Sequence, residues 1–428
     1  MSQSWALRCQ ILSCTSQPTD DSGWFYHSDG LIWVVDGLIK RVGSYSDVKN
    51  YLPSDIRIKH KPEYLLIPGF VDTHVHYPQL EMIGAYGTQL LDWLNRYTFP
   101  VELKYRDYEY ASKQAVQFLD QLLANGTTTA LVFATSSVNS VDAFFAESLR
   151  RNLRMISGKI LMDRHAPDAL CDTAQSAYDD STALIEKWRG QGRLGYAVTP
   201  RFAPTSTDAQ LDVAGALIKE NGDAYLHTHL SENVDEIAWV GELFPEQQGY
   251  LDTYDHFGLV TDRSVFAHGI HLSDAEMQRL HNCGSAICHC PSSNLFLGSG
   301  LFPLKRLQQM GVNVTMGTDV GGGTSLSMLS TQGDAYKIQQ MAGHLLKPLE
   351  AFYMATLAGA KALGLDDRIG ALVEGYEADM VLLDLASTPV IEERMKRADK
   401  IEDVLFALSI LGDDRSIAQT YVMGESVL

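Results

Sequence analysis

The chain has 428 residues, of which 45% are hydrophobic and 20% charged, a composition typical of a globular protein with a core to bury. Its 53 acidic residues outnumber its 34 basic ones and give a formal net charge of −19. That balance argues against nucleic acid or an anionic membrane as the main partner, so we expect no partner of either kind.

Cysteine usage and hydropathy predict the compartment. The six cysteines are too few and too unevenly spaced for a disulfide framework, which favours a reducing environment: Cys9, Cys14, Cys171, Cys283, Cys288 and Cys290. No stretch approaches the roughly 18 uninterrupted apolar residues of a membrane span, and no basic segment with an apolar run opens the chain. We therefore expect a cytoplasmic protein.

Short apolar segments separated by turn residues fill the first 65 positions. Val34 and Val35 precede an Asp36-Gly37 pair, and Leu38 and Ile39 follow it. An Asp-Gly turn between apolar arms is typical of a β-hairpin, so this region is predicted to be a small β unit.

From Leu65 onward, short apolar runs alternate with stretches of helical periodicity, such as 110–124 and 210–220. Alternation of this kind indicates parallel strands joined by crossover helices. The predicted strands are 65–74, 127–133, 154–162, 194–202, 224–230, 264–269, 285–289 and 313–319. Eight such units over about 250 residues predict an α/β fold, a closed (β/α)8 TIM-like barrel. A doubly wound open sheet is the structural alternative.

After the predicted helices of 326–365, short alternating strands with glycine turns return at 369–384 and 420–424. We predict that both chain ends form one small β-sandwich domain, from residues 1–65 and 376–428. The barrel would then occupy residues 66–375.

The end of the first predicted strand carries His74 and His76. Because alternate residues of a strand share a face, both imidazoles project together, which indicates a metal site. An isolated His-x-His would favour two ordinary polar residues in a surface loop, so the remaining ligands must be found elsewhere in the chain.

Three other strand ends supply such groups. The fifth carries His227 and His229, either of which can be a ligand while the other supports it, and His229 lies closer to the end. Glu232 follows, where it is suited to acid/base chemistry. The sixth strand ends at His268 and the eighth at Asp319, which can bind a metal and orient its water. A metal lowers the pKa of bound water, so the predicted reaction class is metal-assisted hydrolysis.

Two other metal arrangements are weaker. Cys283, Cys288 and Cys290 lack the paired Cys-x-x-Cys spacing of a structural zinc site, so buried thiols are the preferred interpretation. A bridging lysine between two metals is not offered by the fourth strand, and Lys159 lies within the third strand. One metal per site is therefore predicted.

With these motifs, the chain resembles the amidohydrolase superfamily. The matching segments are 68–76, 229–232, the strand of His268, 317–319 and 375–384. Within the superfamily it is similar to the guanine deaminase family, through Pro78-Gln79 and segments 90–100, 199–204, 290–295 and 316–319.

That resemblance implies a ligand set and a proton carrier. His74, His76, His229 and Asp319 would bind one Zn²⁺ per subunit, with Fe²⁺ as the alternative that the same donors suit. Glu232 would shuttle protons.

The resemblance also implies a substrate site. His268 would lie beside the water and the substrate, and Gln79, Arg201 and Phe202 would hold the purine. Their chemistry suits a flat base, because an amide donates and accepts, a guanidinium donates to a carbonyl, and a phenyl ring stacks. The implied reaction is hydrolysis of guanine to xanthine and ammonia by a homodimer.

Two alternatives stay open at this point, and a third is excluded. The same fold could act on another nitrogen heterocycle, such as a pterin, a triazine or cytosine. It could also be an inactive barrel kept as a scaffold, although every candidate ligand is present. The unrelated zinc deaminase fold is excluded, since its His-x-Glu and Pro-Cys-x-x-Cys signature is absent from the sequence.

Overall fold

The computed structural model describes residues 4–86 and 90–427, with the backbone alone at residues 90 and 91. Residues 1–3 and 428 of the predicted β-sandwich lie outside this range, as do the side chains of Leu90 and Leu91 in segment 90–100. Within the described range, no helix is both long and apolar enough to traverse a bilayer.

The strands fall into three sets along the chain. The first is β1 Ser4–Cys14, β2 Trp24–Val35, β3 Leu38–Ser44 and β4 Ile58–Pro68. The second is β5 Phe70–His76, β6 Thr127–Phe133, β7 Arg154–Gly158, β8 Ile160–Leu161, β9 Gly195–Pro200, β10 Tyr225–Leu230, β11 Ser264–His268, β12 Ala286–His289 and β13 Asn313–Met316. The third is β14 Met380–Asp384, β15 Ile417–Val422 and β16 Glu425–Ser426.

The α-helices lie mainly between the strands of the second set and after it. Those of the first half are α1 Tyr45–Val48, α2 Leu90–Trp93, α3 Phe99–Glu102, α4 Tyr108–Ala124, α5 Val138–Arg150, α6 Ala174–Trp188 and α7 Asp208–Glu220. Those of the second half are α8 Val234–Leu243, α9 Tyr250–His256, α10 Asp274–Cys283, α11 Pro291–Phe296, α12 Leu304–Gln309, α13 Met328–Met341, α14 Pro348–Met354, α15 Leu357–Ala362, α16 Pro389–Met395 and α17 Ile401–Leu411.

Both chain ends meet in one seven-stranded sheet of order β16-β15-β14-β4-β1-β2-β3. The predicted hairpin is confirmed, because Asp36 (φ 49°) and Gly37 (φ 83°) connect β2 to β3. Backbone bonds from Ile39 N to Tyr376 O and from Ala378 N to Gly37 O, both 2.8 Å, join β3 to the segment before β14. The curled sheet encloses an apolar cluster that includes Leu7, Ile11, Ile32, Val34, Ile39, Leu66, Met380 and Leu382.

The second set forms a parallel sheet of order β5-β6-β7-β9-β10-β11-β12-β13, with β8 paired to β9. The end strands β5 and β13 are joined by bonds from Asp319 N to His74 O (2.9 Å) and from His76 N to Val320 O (3.0 Å). The sheet is therefore a nearly closed barrel, and the predicted fold class is confirmed. Every residue of β5 and β6 is buried, as expected when helices cover the outside of a filled barrel.

The prediction of one continuous strand over 65–74 is wrong. The chain breaks at Gly69: β4 ends at Pro68 and pairs with β1 and β14, whereas β5 begins at Phe70 and pairs with β6. A Cβ at Gly69 would lie 2.0 Å from Thr128 Oγ1, so the chain passes too close to β6 for any larger residue. This glycine separates the terminal sheet from the barrel.

The terminal segment also contains α16 and α17, which the sequence analysis did not predict. A Cβ at Gly333 of α13 would lie 2.2 Å from the carbonyl oxygen of Ser409, so α17 packs directly on α13 beside the barrel. At the amino end of the barrel, Arg193 Nη1 donates to Glu377 Oε2 and Asp379 Oδ2, each at 2.7 Å. The boundary at residues 375 and 376 stays a prediction.

Candidate active site

The carboxyl ends of three strands, β5, β10 and β13, bring together His74, His76, His229 and Asp319. Their ligand atoms all lie within 4.8 Å of one another, a group that could hold a metal ion. His74 Nε2 and His76 Nε2 lie 3.1 and 3.3 Å from Asp319 Oδ1, and 3.3 Å from each other. The two histidines predicted from one strand thus aim at one point.

The orientation of these rings fits a metal. His229 Nδ1 donates to the carbonyl oxygen of Arg201 at 2.7 Å, which leaves the Nε2 lone pair free to bind. His74 Nδ1 lies 2.8 Å from His227 Nε2, so His227 stands behind the ligand group. Burial lowers the pKa of His76 to about 4 and that of His229 well below its usual range, which keeps both rings neutral. Neutral imidazoles held by an outer shell are the form that binds metals.

Asp72, a residue not predicted as part of the site, fixes the backbone on both sides of the group. Its Oδ1 accepts from His74 N (3.1 Å) and Thr318 N (3.2 Å), and its Oδ2 accepts from Thr318 Oγ1 at 2.5 Å. Asp319 follows with φ 49° and His268 has φ 74°, left-handed conformations that non-glycine residues seldom adopt. The backbone at these strand ends is therefore held in an unusual geometry beside the cavity.

Glu232 and His268 face each other next to the ligand group. Glu232 Oε2 lies 3.4 Å from His268 Nε2, and Glu232 Oε1 accepts from Ser299 Oγ at 3.1 Å. The Asn294 amide nitrogen lies 2.9 Å from His268 Nδ1, and because it only donates, the His268 proton is on Nε2. Burial, reinforced by Asp319 and Glu236, raises the pKa of Glu232 well above its usual range. A carboxyl group whose pKa moves from its ordinary value toward the working pH is suited to proton transfer.

A cavity opens over these groups. The described residues that line it are His76, Gln79, Trp93, Leu94, Arg201, Phe202, His229, Glu232, Glu236, His268, Leu297, Asp319 and Gly322. It thus combines apolar walls with a few fixed polar groups, which is the usual make-up of a small-molecule site.

The far wall of the cavity holds Gln79 and Arg201, two of the polar residues predicted to contact a substrate. Arg201 Nη1 donates to both carboxylate oxygens of Glu102 at 2.9 Å, and both side chains are buried. Gln79 Oε1 accepts from Gly321 N at 3.0 Å. Phe202 follows Arg201 and packs edge-on toward Trp239, with ring centroids 6.3 Å apart.

Cys288 and Cys290, at the end of the seventh predicted strand, are buried as expected, whereas Cys283 ends α10 and is half-buried. Thr73 Oγ1 donates to Cys288 Sγ at 3.1 Å, and Cys290 Sγ lies 3.8 Å from Cys288 Sγ. Cys290 is closer to the site than expected, because its sulfur lies within 4.8 Å of ligand atoms of His74, His268 and Asp319. Lys159, weighed as a metal bridge, instead pairs with Asp172.

Sequence reasoning placed the reacting groups at the strand ends but missed the residues that hold them. Glu102, Asn294 and Ser299 lie in helices or loops far along the chain from the side chains they contact. The sequence offered one indication for two of them. Glu102 lies just after segment 90–100 and Asn294 lies within segment 290–295, and both segments carried the family resemblance.

Comparison with known proteins gives a consistent result. The profile of the amidohydrolase family matches residues 65–427. Guanine deaminase of Escherichia coli K12 is 52% identical over 399 residues, covering 93% of this chain and 91% of that protein. The solved E. coli guanine deaminase superposes with a TM-score of 0.96 at 49% identity, over 99% of each chain. Guanine deaminase from C. acetobutylicum, solved with guanine bound in its active site, gives 0.90 at 30% identity over 100% of each chain.

Proposed function

The chain belongs to the amidohydrolase family, and we propose that it is an enzyme that hydrolyses guanine to xanthine and ammonia. One observation carries this proposal: a single cavity contains a metal-type ligand group, a proton carrier and a fixed amide–guanidinium pair. Relatives that share most of the chain are guanine deaminases, and one of them holds guanine in its active site.

His74, His76, His229 and Asp319 would hold one metal ion, which we propose is Zn²⁺ rather than Fe²⁺. When bound, such an ion lowers the pKa of water toward neutrality and so supplies a nucleophile without a strong base. The fit rests on three imidazoles and one carboxylate whose ligand atoms lie within 4.8 Å of one another.

The proton transfers fall to the chain's own acids. Asp319 or Glu232 takes the proton of the attacking water, and Glu232 then protonates the ring nitrogen beside the carbon that bears the amine. Protonation makes that carbon more electrophilic, and Nε2–H of His268 donates to the oxygen that becomes negative as the water adds. The added hydroxyl then gives up its proton, and Asp319 or Glu232 passes a proton to the amine, so that the carbon–nitrogen bond breaks, ammonia leaves and the new carbonyl of xanthine remains.

Recognition of the purine falls to the far wall. Arg201 and Gln79 offer N–H donors to the purine carbonyl, and Phe202 provides a flat apolar face against the ring. Adenine places an amine where guanine has this carbonyl, so a donor would face a donor and adenine should be rejected.

The test is release of ammonia and xanthine from guanine, measured with and without chelator, with metal analysis of the same sample. Adenine, cytosine, a pterin and a triazine form the comparison panel. Guanine turnover that needs about one zinc per subunit supports the proposal. Equal turnover of adenine, or full turnover of metal-free protein, would refute it.

Three further features are proposed on weaker support. A cytoplasmic location agrees with the six unpaired cysteines, and a homodimer agrees with the family resemblance. The division into a terminal β domain (1–65 with 376–428) and a barrel (66–375) agrees with the two separate sheets. Sedimentation of the purified chain tests the dimer, and limited proteolysis with mapping of the cut sites tests the domain boundaries.

A further inference from the structure

Segment 90–102 has a structural role that the proposed reaction does not explain. After α2, a π-helical turn over Leu94–Thr98 leads into α3, which begins at Phe99 and ends at Glu102. Trp93 and Leu94 line the cavity, while Glu102 lies behind the wall and is not exposed at all. The segment therefore places a buried carboxylate next to the substrate cavity.

Glu102 contacts both residues of the far wall. Each of its oxygens accepts from Arg201 Nη1 at 2.9 Å. Burial raises the pKa of the Glu102 carboxyl, whereas the charge of Arg201 and hydrogen bonding from the side chains of Arg201 and Gln79 lower it. Because Gln79 Oε1 is already bonded to Gly321 N, its amide nitrogen is the group directed toward Glu102. One carboxylate thus fixes the orientation of a guanidinium and an amide together.

The charges along the cavity show why Arg201 needs the Glu102 carboxylate as a partner. Among the described residues that line the cavity, Arg201 is the only permanent cation, and it is 2% exposed. A buried cation without a partner is costly and attracts anions, and Glu102 is the carboxylate bonded to it. Glu232, Glu236 and Asp319 are the other acids facing the cavity.

We propose that Glu102 is a positioning residue that holds Arg201 and Gln79 as a charge-balanced donor pair, so that the cavity binds uncharged oxopurines and discriminates against anionic ones. This inference rests on the proposed function. Xanthine has one more ring carbonyl than guanine and gives up a proton more readily, so the same balance favours its release.

The test is binding of hypoxanthine, a neutral oxopurine, and urate, an anionic one, to zinc-loaded protein by titration calorimetry. We expect Glu102→Gln to lower kcat/KM for guanine by about tenfold or more, mainly through KM, because the donors lose their fixed orientation. The ratio of the urate Kd to the hypoxanthine Kd should fall by about tenfold, since Arg201 is then uncompensated. Urate and hypoxanthine also differ in shape, but that difference contributes to the Kd ratio of every variant and therefore cancels when the ratios are compared.

Glu377→Gln is the matched control. Glu377 is also a nearly buried carboxylate bonded to arginine, Arg193, but at the amino end of the barrel, away from the cavity. The control should lose thermal stability while keeping the wild-type Kd ratio. A Kd ratio in Glu102→Gln that equals those of wild type and Glu377→Gln would overturn the inference.

A charge-balanced double variant, Glu102→Gln with Arg201→Met, covers the case in which Glu102→Gln does not fold. The double variant should fold and should not bind urate more tightly than wild type, because no buried cation remains. If it does not fold, the loss of the fold in Glu102→Gln is not explained by the uncompensated charge of Arg201, which would count against the inference. Wild-type protein that leaves guanine unchanged refutes the proposed function itself. Active wild type with an unaltered ratio in Glu102→Gln refutes only the role of Glu102.

Discussion

Replacing Glu232 by glutamine removes the proton carrier while keeping the shape of the site. In the structure the carboxylate accepts from Ser299 Oγ at 3.1 Å and lies 3.4 Å from His268 Nε2. Glutamine has one acceptor oxygen instead of two, so one of these two contacts is lost. A single hydrogen bond contributes about 1 kcal/mol to the free energy of unfolding, and the neutral amide avoids the cost of burying a charge.

The effect on the reaction should be far larger than the effect on stability. General acid/base catalysis contributes about 10²- to 10⁴-fold, which corresponds to about 3–5 kcal/mol of activation free energy. We expect kcat for guanine to fall by that factor in Glu232→Gln, with the free energy of unfolding changed by only about 1 kcal/mol. A difference of this size separates a chemical role from a packing role.

The assay is ammonia release from guanine under saturating conditions, with zinc content measured on the same preparation. Glu276→Gln is the matched control, because Glu276 accepts from Ser273 at the start of α10 on the exposed surface. The control should retain wild-type kcat. Glu232→Gln with full zinc and a kcat within tenfold of wild type would show that another group carries the proton.

Two other acids near the site give separate predictions. Asp72→Ala leaves three hydrogen-bond donors on His74 and Thr318 unpaired, so it should lower the free energy of unfolding by about 3–6 kcal/mol and reduce zinc content. Asp72→Asn can still accept a hydrogen bond and should lower the free energy of unfolding much less. Equal effects of the two variants in denaturant titrations would contradict this prediction. Burial raises the pKa of Glu236 from 4.5 to about 7, so the folded state binds the extra proton between those values and its stability falls as pH rises through them. The stability of Glu236→Gln relative to wild type should therefore improve by up to about 3 kcal/mol from pH 4.5 to 7, and a pH-independent difference would contradict that pKa.

The fold could be predicted because its strands are short, apolar and evenly spaced. Eight buried runs joined by helices leave few alternatives, and parallel strands place their carboxyl ends at one edge. This is why His74, His76 and Asp319 could be proposed together from separate strand ends with either His227 or His229, and the family resemblance selected His229 as the fourth. The structure brings all four within reach of one metal ion.

The residues that support the site could not be predicted in the same way. Glu102 reaches Arg201 across 99 positions, and Ser299 reaches Glu232 across 67. No periodicity relates partners of that kind, because the contact depends on how loops fold over the barrel. The break at Gly69 was missed for a similar reason: its cause is the closeness of Thr128, which local hydrophobicity does not record.

Arg201 contacts the proposed metal-binding group through its backbone and the far wall of the cavity through its side chain. Its carbonyl oxygen accepts from His229 Nδ1, while its guanidinium lies in the far wall of the cavity and is bonded to Glu102. A mutation changes only the side chain, so the support for the ligand survives any replacement that keeps the backbone path. Substitutions at position 201 could therefore change which ring system the cavity accepts while the proposed metal ligands stay in place. One barrel could in this way give rise to hydrolases for different heterocycles.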